Sequence, residues 1–266
     1  MHAAVLGSPI SHSLSPVLHR AAYSELGLAH DYQAIEVTKE TFVDFVKGCD
    51  DTWLGLSLTM PLKEVAFDVA EEVSPVALLS RSINTLIFNE KLVADNTDVT
   101  GIVHAVREMT SHDLTHMVIF GSGATARSSI LAANQLGIST IHTVARNHSA
   151  IAECQAIATK LGITLIDASL RDITFTPQTL TVNTTPAGVG DTLADAVIDP
   201  TGPMLDVIYH PWPTALGQRW HDAQSIAIPG YLMLLHQAAK QVELMTGQEA
   251  PLHAMRTALM DALASR

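Results

Sequence analysis

The chain has 266 residues, and 15 lysines and arginines against 27 aspartates and glutamates give a formal net charge of −12. This acidic balance argues against binding to nucleic acid through phosphate contacts and against binding to anionic membrane surfaces. Apolar residues make up 47% of the chain and charged residues 16%, which excludes wholesale disorder. The sequence also lacks an apolar run of the ~18 residues that a membrane helix requires.

The cysteine content and the first residues indicate where the protein works. Cys49 and Cys154 are too few for a disulfide framework or, by themselves, for a zinc site. Residues Met1–Ala4 do not begin a basic region followed by an apolar one, so no secretion signal is visible. We therefore expect a reduced, cytoplasmic protein without a metal.

Short β-branched runs alternate with longer helical stretches along the chain. The predicted strands are Ala3–Leu6, Tyr32–Val37, Leu54–Leu58, Thr85–Phe88, Met117–Phe120, Thr140–Val144, Thr164–Ile166, Thr179–Asn183, Met204–Ile208 and Ser225–Ile228. The predicted helices are Pro16–Leu26, Leu62–Ala70, Asp98–Met109, Ala124–Leu136, Ala150–Leu161, Tyr231–Thr246 and Leu252–Leu263. This alternation predicts βαβ units and mostly parallel sheets.

The polar stretch Thr110–His116 lies between a predicted helix and a predicted strand and is the best candidate for a domain boundary. The residues before it have strands and helices of their own, and a second alternating pattern begins after it. The sequence therefore predicts two α/β domains.

A glycine loop opens the second pattern. Gly121-Ser122-Gly123-Ala124-Thr125-Ala126 follows a buried strand and leads into a helix, which matches G-x-G-x-x-G/A in its proper context. Gly121 permits the turn, Gly123 lets a pyrophosphate approach the backbone, and Ala126 allows close packing of helix on strand. The segment predicts a dinucleotide site, the alternative being a β–α turn without a ligand.

The end of the next predicted strand indicates which nicotinamide cofactor binds. A cofactor with a free 2′-hydroxyl usually meets an Asp or Glu there, but this chain has Ala145-Arg146-Asn147. A guanidinium suits a 2′-phosphate, although it could also be a solvated surface arginine. Together with the missing acid, Arg146 predicts NADP rather than NAD.

Three polar segments in the first half carry groups suited to catalysis. Ser13 and Ser15 precede a helix and could hold a carboxylate, although Ser15 could simply be an N-cap. Lys63 stands at the start of a predicted helix, and Asp98 follows a polar turn and could itself be an N-cap. A lysine and an aspartate brought together would make a general acid–base pair, but spacing alone does not bring them together.

Seven motifs, taken in order, are similar to those of one enzyme family. They are Gly7-Ser8-Pro9-Ile10-Ser11-His12-Ser13-Leu14-Ser15-Pro16, Leu58-Thr59-Met60-Pro61-Leu62-Lys63, Asn84-Thr85, Asp95-Asn96-Thr97-Asp98-Val99-Thr100-Gly101, Asn183-Thr184-Thr185-Pro186-Ala187-Gly188, Asp206-Val207-Ile208-Tyr209-His210-Pro211 and Gly230-Tyr231-Leu232-Met233-Leu234-Leu235-His236-Gln237-Ala238. Because they span most of the chain, the sequence resembles the shikimate dehydrogenases, which reduce 3-dehydroshikimate to shikimate with NADPH in aromatic amino-acid biosynthesis.

The resemblance implies a role for each matching position. Lys63 and Asp98 would be catalytic. The substrate would be held by Ser13 and Ser15 at its carboxylate, by Thr59, Asn84 and Gln237 at its ring hydroxyls, and by Tyr209 lining the site. The cofactor would be held by Gly121, Ser122, Gly123, Ala124, Thr125, Ala126, Arg146, Asn147, Thr184 and Gly230.

The resemblance also implies the domain architecture and the partners. Residues 1–102 with 237–266 would form a discontinuous substrate-binding domain, and residues 103–236 an inserted Rossmann domain that binds NADP, with the active site in the cleft between them. We expect a monomer or homodimer that binds small molecules and neither nucleic acid nor a membrane.

The chain departs from the family pattern at a few positions, which leaves alternatives open. Ser57 replaces the usual Asn before the Thr59 motif, and Arg81 lies among residues that are usually small. Ser57 could weaken a polar contact near the ring, and Arg81 could lean into the cleft or point to solvent. The alternatives are an enzyme that oxidises quinate, for which NAD is the alternative cofactor, and a non-catalytic NADP-binding relative.

Overall fold

The computed structural model describes residues Met1–Arg266, which form two compact units. The first comprises Met1–Gly101 and Leu234–Arg266, and the second comprises Ile102–Met233. The first unit is therefore discontinuous in sequence. The first boundary falls inside the helix Asp98–Met109 and not in the polar stretch Thr110–His116, because that helix continues without a break from one unit to the other.

Strands and helices alternate along most of the chain. The strands are β1 (His2–Gly7), β2 (Asp31–Glu36), β3 (Trp53–Leu58), β4 (Glu72–Val73), β5 (Thr85–Phe88), β6 (Leu92–Asp95), β7 (His116–Phe120), β8 (Thr140–Val144), β9 (Thr164–Asp167), β10 (Thr179–Asn183), β11 (Met204–Asp206) and β12 (Ala227–Ile228). The helices are α1 (Ser15–Glu25), α2 (Lys39–Lys47), α3 (Pro75–Ser80), α4 (Asp98–Met109), α5 (Ala124–Gln135), α6 (His148–Lys160), α7 (Asp191–Ala194), α8 (Ala215–Asp222), α9 (Gly230–Thr246) and α10 (Leu252–Ala264). None of them combines the length and the apolar character needed to cross a bilayer.

The first unit contains a mixed sheet in the order β2-β1-β3-β5-β6-β4. β1 pairs in parallel with β2 and β3, whereas β5 is antiparallel to both β3 and β6. The expectation of mostly parallel sheets is confirmed, and the exceptions are the β3-β5 and β5-β6 pairings of this unit. A short connection explains the difference, since β5 and β6 are joined by a tight turn that only antiparallel neighbours allow. The core on one face includes Leu6, Phe42, Leu56 and Leu86.

The second unit contains a sheet in the order β12-β11-β10-β7-β8-β9, and every pairing in it is parallel. Relative to β7, the chain moves outward through β8 and β9, then returns to β10 on the other side. This is the order of the doubly wound dinucleotide-binding fold, whose ligands bind where the order reverses. The Rossmann architecture expected from the sequence is confirmed.

The predicted helix Leu62–Ala70 is wrong, since only a short 3-10 helix forms, at Val65–Asp68. The Lys63 carbonyl accepts a hydrogen bond from the Ile83 N–H at 2.8 Å and is therefore not available to a helix. Sequence reasoning also missed α2, α3, α7, α8, β4 and β6, all of them short. By contrast, Gly27 and Gly137 have the positive φ expected after a helix, +67° and +79°.

Candidate active site

Four polar segments of the first unit meet at one edge of its sheet. β1 and β3 are parallel, so their carboxyl ends, Gly7 and Leu58, lie at the same edge. β5 runs the opposite way, which brings its amino end, next to Asn84, to that edge. β6 reverses again, so its carboxyl end, Asp95, pairs with Thr85 there. The topology thus assembles segments that are far apart in sequence.

The serine segment and the Thr59 segment are fixed against each other where they leave the sheet. The Ser8 N–H donates to the Met60 carbonyl at 3.1 Å, and the Thr59 N–H donates to the Leu6 carbonyl at 2.9 Å. A Cβ on Gly7 would lie 2.5 Å from Thr59 Cγ2 and 2.9 Å from the Met60 oxygen. Only glycine fits this approach, so the two segments begin in a set relation.

Ser13 and Ser15 lie at the amino end of α1. Leu14 occupies the N-cap position and Ser15 is the first helical residue, so Ser15 is not the cap that the sequence left open. The Ser15 N–H donates to Ser13 Oγ at 3.3 Å, and Ser15 is 4% exposed. Two hydroxyls beside a helix N-terminus can donate to an anion, which the positive end of the helix dipole also favours.

Lys63 and Asp98 meet directly, which spacing alone did not establish. Lys63 Nζ lies 2.5 Å from Asp98 Oδ2, and their side chains are 15% and 5% exposed. The other carboxylate oxygen, Oδ1, accepts a hydrogen bond from Asn84 Nδ2 at 2.8 Å. A buried ion pair that is also hydrogen-bonded holds the ammonium in one place, with one carboxylate oxygen for each donor.

The first N–H of α4 is satisfied by the side chain of Asn96, and the Asp98 carboxylate contacts Lys63. The Asp98 N–H donates to Asn96 Oδ1 at 3.0 Å. Asn96 is itself anchored by its amide, which donates to Ser80 Oγ at 2.8 Å. Asp98 is therefore the first residue of α4 and not an N-cap. Sequence reasoning missed Asn96, although its place in the D-N-T-D turn was a signal.

Asn84 is the centre of the cluster and is almost fully buried, with 1% exposure. Its Oδ1 accepts from the Thr97 N–H at 2.8 Å and from Thr85 Oγ1 at 2.8 Å. Its Nδ2 contacts Asp98 Oδ1, Gln237 Oε1 at 3.0 Å and Thr97 Oγ1 at 3.0 Å. The Thr97 N–H can only donate, so it fixes which end of the Asn84 amide faces Asp98. Thr97 is a second residue that sequence reasoning missed.

The structure thus joins four of the expected catalytic and substrate-binding residues by direct hydrogen bonds and leaves the others outside this network. The joined residues are Lys63, Asn84, Asp98 and Gln237. Thr59 is half-buried in the turn that leads to Lys63, its carbonyl accepting from the Leu62 N–H at 2.8 Å. The two serines belong to the same unit, whereas Tyr209 belongs to the second.

In the second unit, Gly121 makes the turn after β7 with a φ of +107°. Its N–H donates to the Val144 carbonyl at 3.0 Å. A Cβ on Gly121 would lie 2.5 Å from Thr184 Oγ1, which donates to the Phe120 carbonyl at 2.8 Å. Both the backbone conformation and the close approach of Thr184 therefore require glycine here. Thr184 is placed beside the glycine loop, as a cofactor-binding role would require.

The rest of the glycine loop fits a pyrophosphate. Gly123 is the N-cap of α5, and a Cβ on it would meet no other protein atom within 4 Å. Ala124 and Thr125 form the first turn of α5, whose N–H groups have no partner within the helix. Within the loop and the first turn of α5, Ser122 is 8% exposed and Ala126 is 0% exposed. The open approach to free N–H donors is a cradle for a phosphate group.

Arg146 and Asn147 follow β8, where the sequence has no acidic residue. Both are exposed. Asn147 is the N-cap of α6, and its Oδ1 accepts from the Ala150 N–H at 3.2 Å. An exposed guanidinium beside a helix N-terminus suits a phosphate, whereas it offers nothing that a 2′-hydroxyl specifically requires.

Tyr209 lies in a loop after β11 that is held by a buried carboxylate. Asp206 accepts hydrogen bonds from Asn183 Nδ2 at 3.1 Å and from Thr214 Oγ1 at 2.8 Å. Burial raises the pKa of Asp206, while these donors favour its charged form. A Cβ on Gly230 would lie 2.5 Å from a backbone oxygen of this loop, so α9 can begin here only with glycine.

Comparisons with known proteins agree with the resemblance seen in the motifs. The family model described as "Shikimate dehydrogenase substrate binding domain" matches residues 5–86, and "Shikimate 5'-dehydrogenase C-terminal domain" matches residues 230–260. A Prochlorococcus marinus (strain MIT 9312) protein named "Shikimate dehydrogenase (NADP(+))" is 34% identical, covering 98% of this chain and 97% of the relative.

Solved structures give the same result. Shikimate dehydrogenase from Mycobacterium tuberculosis is 37% identical with a TM-score of 0.89, covering 98% of this chain and 99% of the other. Shikimate 5-dehydrogenase from Thermus thermophilus, solved with NADP(H) and shikimate, is 27% identical with a TM-score of 0.87, covering 98% and 99%. With this similarity over nearly the whole chain, the protein belongs to the shikimate dehydrogenase family.

Proposed function

We propose that this chain catalyses the reversible reduction of 3-dehydroshikimate to shikimate with NADPH, a step of aromatic amino-acid biosynthesis. The observation that carries the proposal is the 2.5 Å contact between Lys63 Nζ and Asp98 Oδ2 within a cluster that includes Asn84 and Gln237. A positioned ammonium next to several amide and carboxylate groups suits acid–base chemistry on a ring that carries hydroxyls. The names of the relatives support the same activity.

Lys63 and Asp98 are the catalytic pair in this proposal. During reduction, negative charge grows on the carbonyl oxygen of the substrate, and the Lys63 ammonium stabilises that charge and donates a proton to the oxygen. In the reverse direction, the neutral amine accepts the proton from the hydroxyl. Asp98 accepts a hydrogen bond from Lys63 and so keeps the ammonium oriented through both directions. When bound, NADPH supplies the hydride.

Substrate recognition follows from the donors and acceptors left in the cluster. Gln237 accepts from Asn84 through Oε1, which leaves its Nε2 hydrogens to donate to a ring hydroxyl. Asn84 Nδ2 has two hydrogens and three nearby acceptors, so a hydroxyl of the substrate can replace one of them. We assign the carboxylate of the substrate to Ser13 and Ser15.

Thr59 and Tyr209 complete the substrate contacts that we propose. The Thr59 hydroxyl, in the turn before Lys63, would bind a ring hydroxyl, and Tyr209 would line the site. On this assignment, every substrate contact except Tyr209 belongs to Met1–Gly101 with Leu234–Arg266, and cofactor binding belongs to Ile102–Met233.

We assign the cofactor to the glycine loop of the second unit. The first turn of α5 would bind the pyrophosphate, with Thr184 and Gly230 as further contacts. Arg146 and Asn147 would bind the 2′-phosphate, because a guanidinium forms charge-assisted hydrogen bonds with phosphate oxygens. Two observations support this assignment. A side chain at Gly121 or Gly230 would clash with neighbouring atoms, and the space beside Gly123 is open.

The test is a direct assay of the purified chain with shikimate and NADP. NADPH formation is followed by its near-ultraviolet absorbance, and the product is identified as 3-dehydroshikimate by chromatography against a standard. NAD and quinate replace NADP and shikimate in parallel assays. Failure to reduce NADP with shikimate would contradict the proposed function, and turnover with quinate and NAD alone would favour the quinate-oxidising alternative.

A further inference from the structure

A relay of buried, hydrogen-bonded side chains contacts Asn84 and lies outside the residues that would touch substrate. It consists of Tyr32, Ser57, Gln241 and Thr85. Its central member is Gln241, on α9 one turn after Gln237 and 1% exposed. Gln241 Nε2 donates to the Asn84 carbonyl at 3.1 Å and to Thr85 Oγ1 at 3.0 Å. Gln241 Oε1 accepts from Ser57 Oγ at 2.8 Å. One amide therefore contacts two strands of the sheet and the residue that orients Asp98.

The direction of every hydrogen bond in this relay can be assigned. Tyr32 donates to Ser57 Oγ at 2.6 Å, so the Ser57 hydroxyl donates onward to Gln241. Gln241 Nε2 can only donate, so the Thr85 oxygen accepts and its hydroxyl hydrogen is left for Asn84 Oδ1, at 2.8 Å. Asn84 then presents its Nδ2 hydrogens to Asp98 and Gln237.

A second donor reinforces the orientation of Gln241. His19, which is 0% exposed, places Nε2 3.4 Å from Gln241 Oε1. Its Nδ1 lies 3.4 Å from the Tyr23 hydroxyl, so a neutral His19 donates to Gln241 and accepts from Tyr23. With donors on both sides, Gln241 Oε1 cannot exchange places with Nε2 without leaving buried groups unsatisfied.

We infer that Gln241 is a positioning residue for the reaction, acting through Thr85 and Asn84 on the Asp98 carboxylate that holds Lys63. The inference rests on the proposed function. Gln241 holds the Asn84 carbonyl and directs the Thr85 hydroxyl at Asn84 Oδ1, which reinforces the amide orientation that the Thr97 N–H sets, with Nδ2 toward Asp98 and Gln237. Without the Thr85 hydroxyl, Asn84 Oδ1 retains the Thr97 contacts alone, and without Gln241 that hydroxyl is no longer directed at it. In either case, small shifts of the reacting groups lower the rate of the chemical step.

Ser57 is a member of the relay. It stands where the family usually has Asn, and a weaker contact near the ring was one expectation. Ser57 is 3% exposed, and its hydroxyl is used by Tyr32 and Gln241. The substitution therefore belongs to the buried relay, in which a serine accepts from one neighbour and donates to the next.

The decisive variants are a matched pair at Thr85, which is 0% exposed. Thr85→Val keeps the shape and removes the relay hydroxyl, whereas Thr85→Ser keeps the hydroxyl. Gln241→Met removes the central amide, and Met245→Ala, on the same helix, is a control that creates a cavity without touching the relay. For each variant, kcat and KM for shikimate and NADP are measured beside the thermal unfolding midpoint.

We expect Thr85→Val and Gln241→Met each to lower kcat about 10-fold with the KM for NADP unchanged, because positioning affects the reacting groups and not the cofactor site. Thr85→Ser retains most of kcat. The double variant is no worse than either single variant, because both substitutions interrupt the same relay. Met245→Ala unfolds at a lower temperature and keeps the wild-type kcat.

The outcomes separate this inference from the proposed function. An active wild type whose Thr85→Val and Gln241→Met variants keep kcat would overturn the inference alone. So would an equal loss of kcat in Thr85→Ser and Thr85→Val, or in Met245→Ala, because a general loss of packing would then explain the effect. A wild type that does not turn over shikimate with NADP would overturn the proposed function and, with it, the inference.

Discussion

The position of the Lys63 ammonium depends on two asparagines as well as on its ion-pair partner Asp98. Asn96 accepts a hydrogen bond from the Asp98 N–H at the start of α4, and Asn84 donates to the oxygen of the Asp98 carboxylate that Lys63 does not contact. The pair could be predicted as candidates from residue type. Their contact could not, because it depends on which backbone N–H groups the neighbouring amides satisfy.

At this scale we expect Lys63→Ala to lower kcat by roughly 10²–10⁴-fold, the usual effect of losing a general acid–base residue. KM should change little, because the lysine acts mainly on charge that develops in the transition state. Lys91→Ala is the control, since Lys91 forms an exposed ion pair with Glu72 in the same unit. Steady-state assays decide the matter, and a Lys63→Ala enzyme with more than about half the wild-type kcat would leave Lys63 a structural role only.

Arg146 gives a second test at the level of a single side chain. Arg146→Ala should cost about 1.5–3 kcal/mol of the preference for NADP over NAD, because charge-assisted hydrogen bonds to the 2′-phosphate are lost. Arg171→Ala, another exposed arginine of the second unit, should leave the preference unchanged. The measurement is kcat/KM with each cofactor. Equal use of NAD by the wild type would refute the assignment.

Among the elements, the strands were easier to predict from sequence than the helices of the first unit. Short apolar runs mark β1, β3 and β7, whereas the segment after Pro61 has a helical pattern and forms only the 3-10 helix Val65–Asp68. The competing interaction is the hydrogen bond from the Ile83 N–H to the Lys63 carbonyl. Such a contact joins distant residues, so no local pattern contains it.

The packing of α1 on β2 predicts a pH-dependent stability. The His19 ring stacks on Tyr32 with centroids 3.9 Å apart, and burial lowers the pKa of His19 from 6.5 to about 3. The unfolded chain therefore binds a proton below pH 6.5 that the folded chain does not, and stability falls as the pH drops from 6.5 towards 3.

In that range the His19 contribution amounts to roughly 1.4 kcal/mol per pH unit. Urea unfolding of the wild type and of His19→Gln, compared over the same pH series, isolates this contribution from that of the carboxylates. We expect the wild type to lose stability more steeply than the variant. Parallel curves for the two proteins would show that His19 is protonated in the folded state as readily as in the unfolded one.

On the scale of the whole molecule, the alternation of strands and helices predicted two α/β domains, and the resemblance carried by the seven motifs implied which of them is the Rossmann unit. What the sequence did not reveal is the reversal of β5. Asn84 precedes its strand whereas Thr59 and Asp98 follow theirs, and only an antiparallel β5 brings all three to one edge. Pairing direction is decided by long-range packing and connection length, which local residue patterns do not encode.

The complete site leads to a prediction about substrate choice. Quinate has a hydroxyl on a tetrahedral C1 where shikimate is flat, and Ser13 and Ser15 offer a cradle suited to the flat acid. Burying the extra hydroxyl without a partner costs about 1–3 kcal/mol. We therefore expect kcat/KM to favour shikimate by roughly 5- to 150-fold. Both acids are assayed with NADP, and quinate within about threefold of shikimate would refute the argument.

The discontinuity of the first unit affects how the protein folds during its synthesis. A ribosome releases Ile102–Met233 before Leu234–Arg266 exists, so the second unit can fold while the first still lacks α10 and most of α9. During that interval Ser57, Thr85 and Asn84 have no Gln241 or Gln237 to satisfy them, and α1 has no α10 to contact. The nascent chain is therefore inactive and exposed to misfolding until α9 and α10 dock on the first unit. Docking of these two helices is the step that completes the substrate-binding unit.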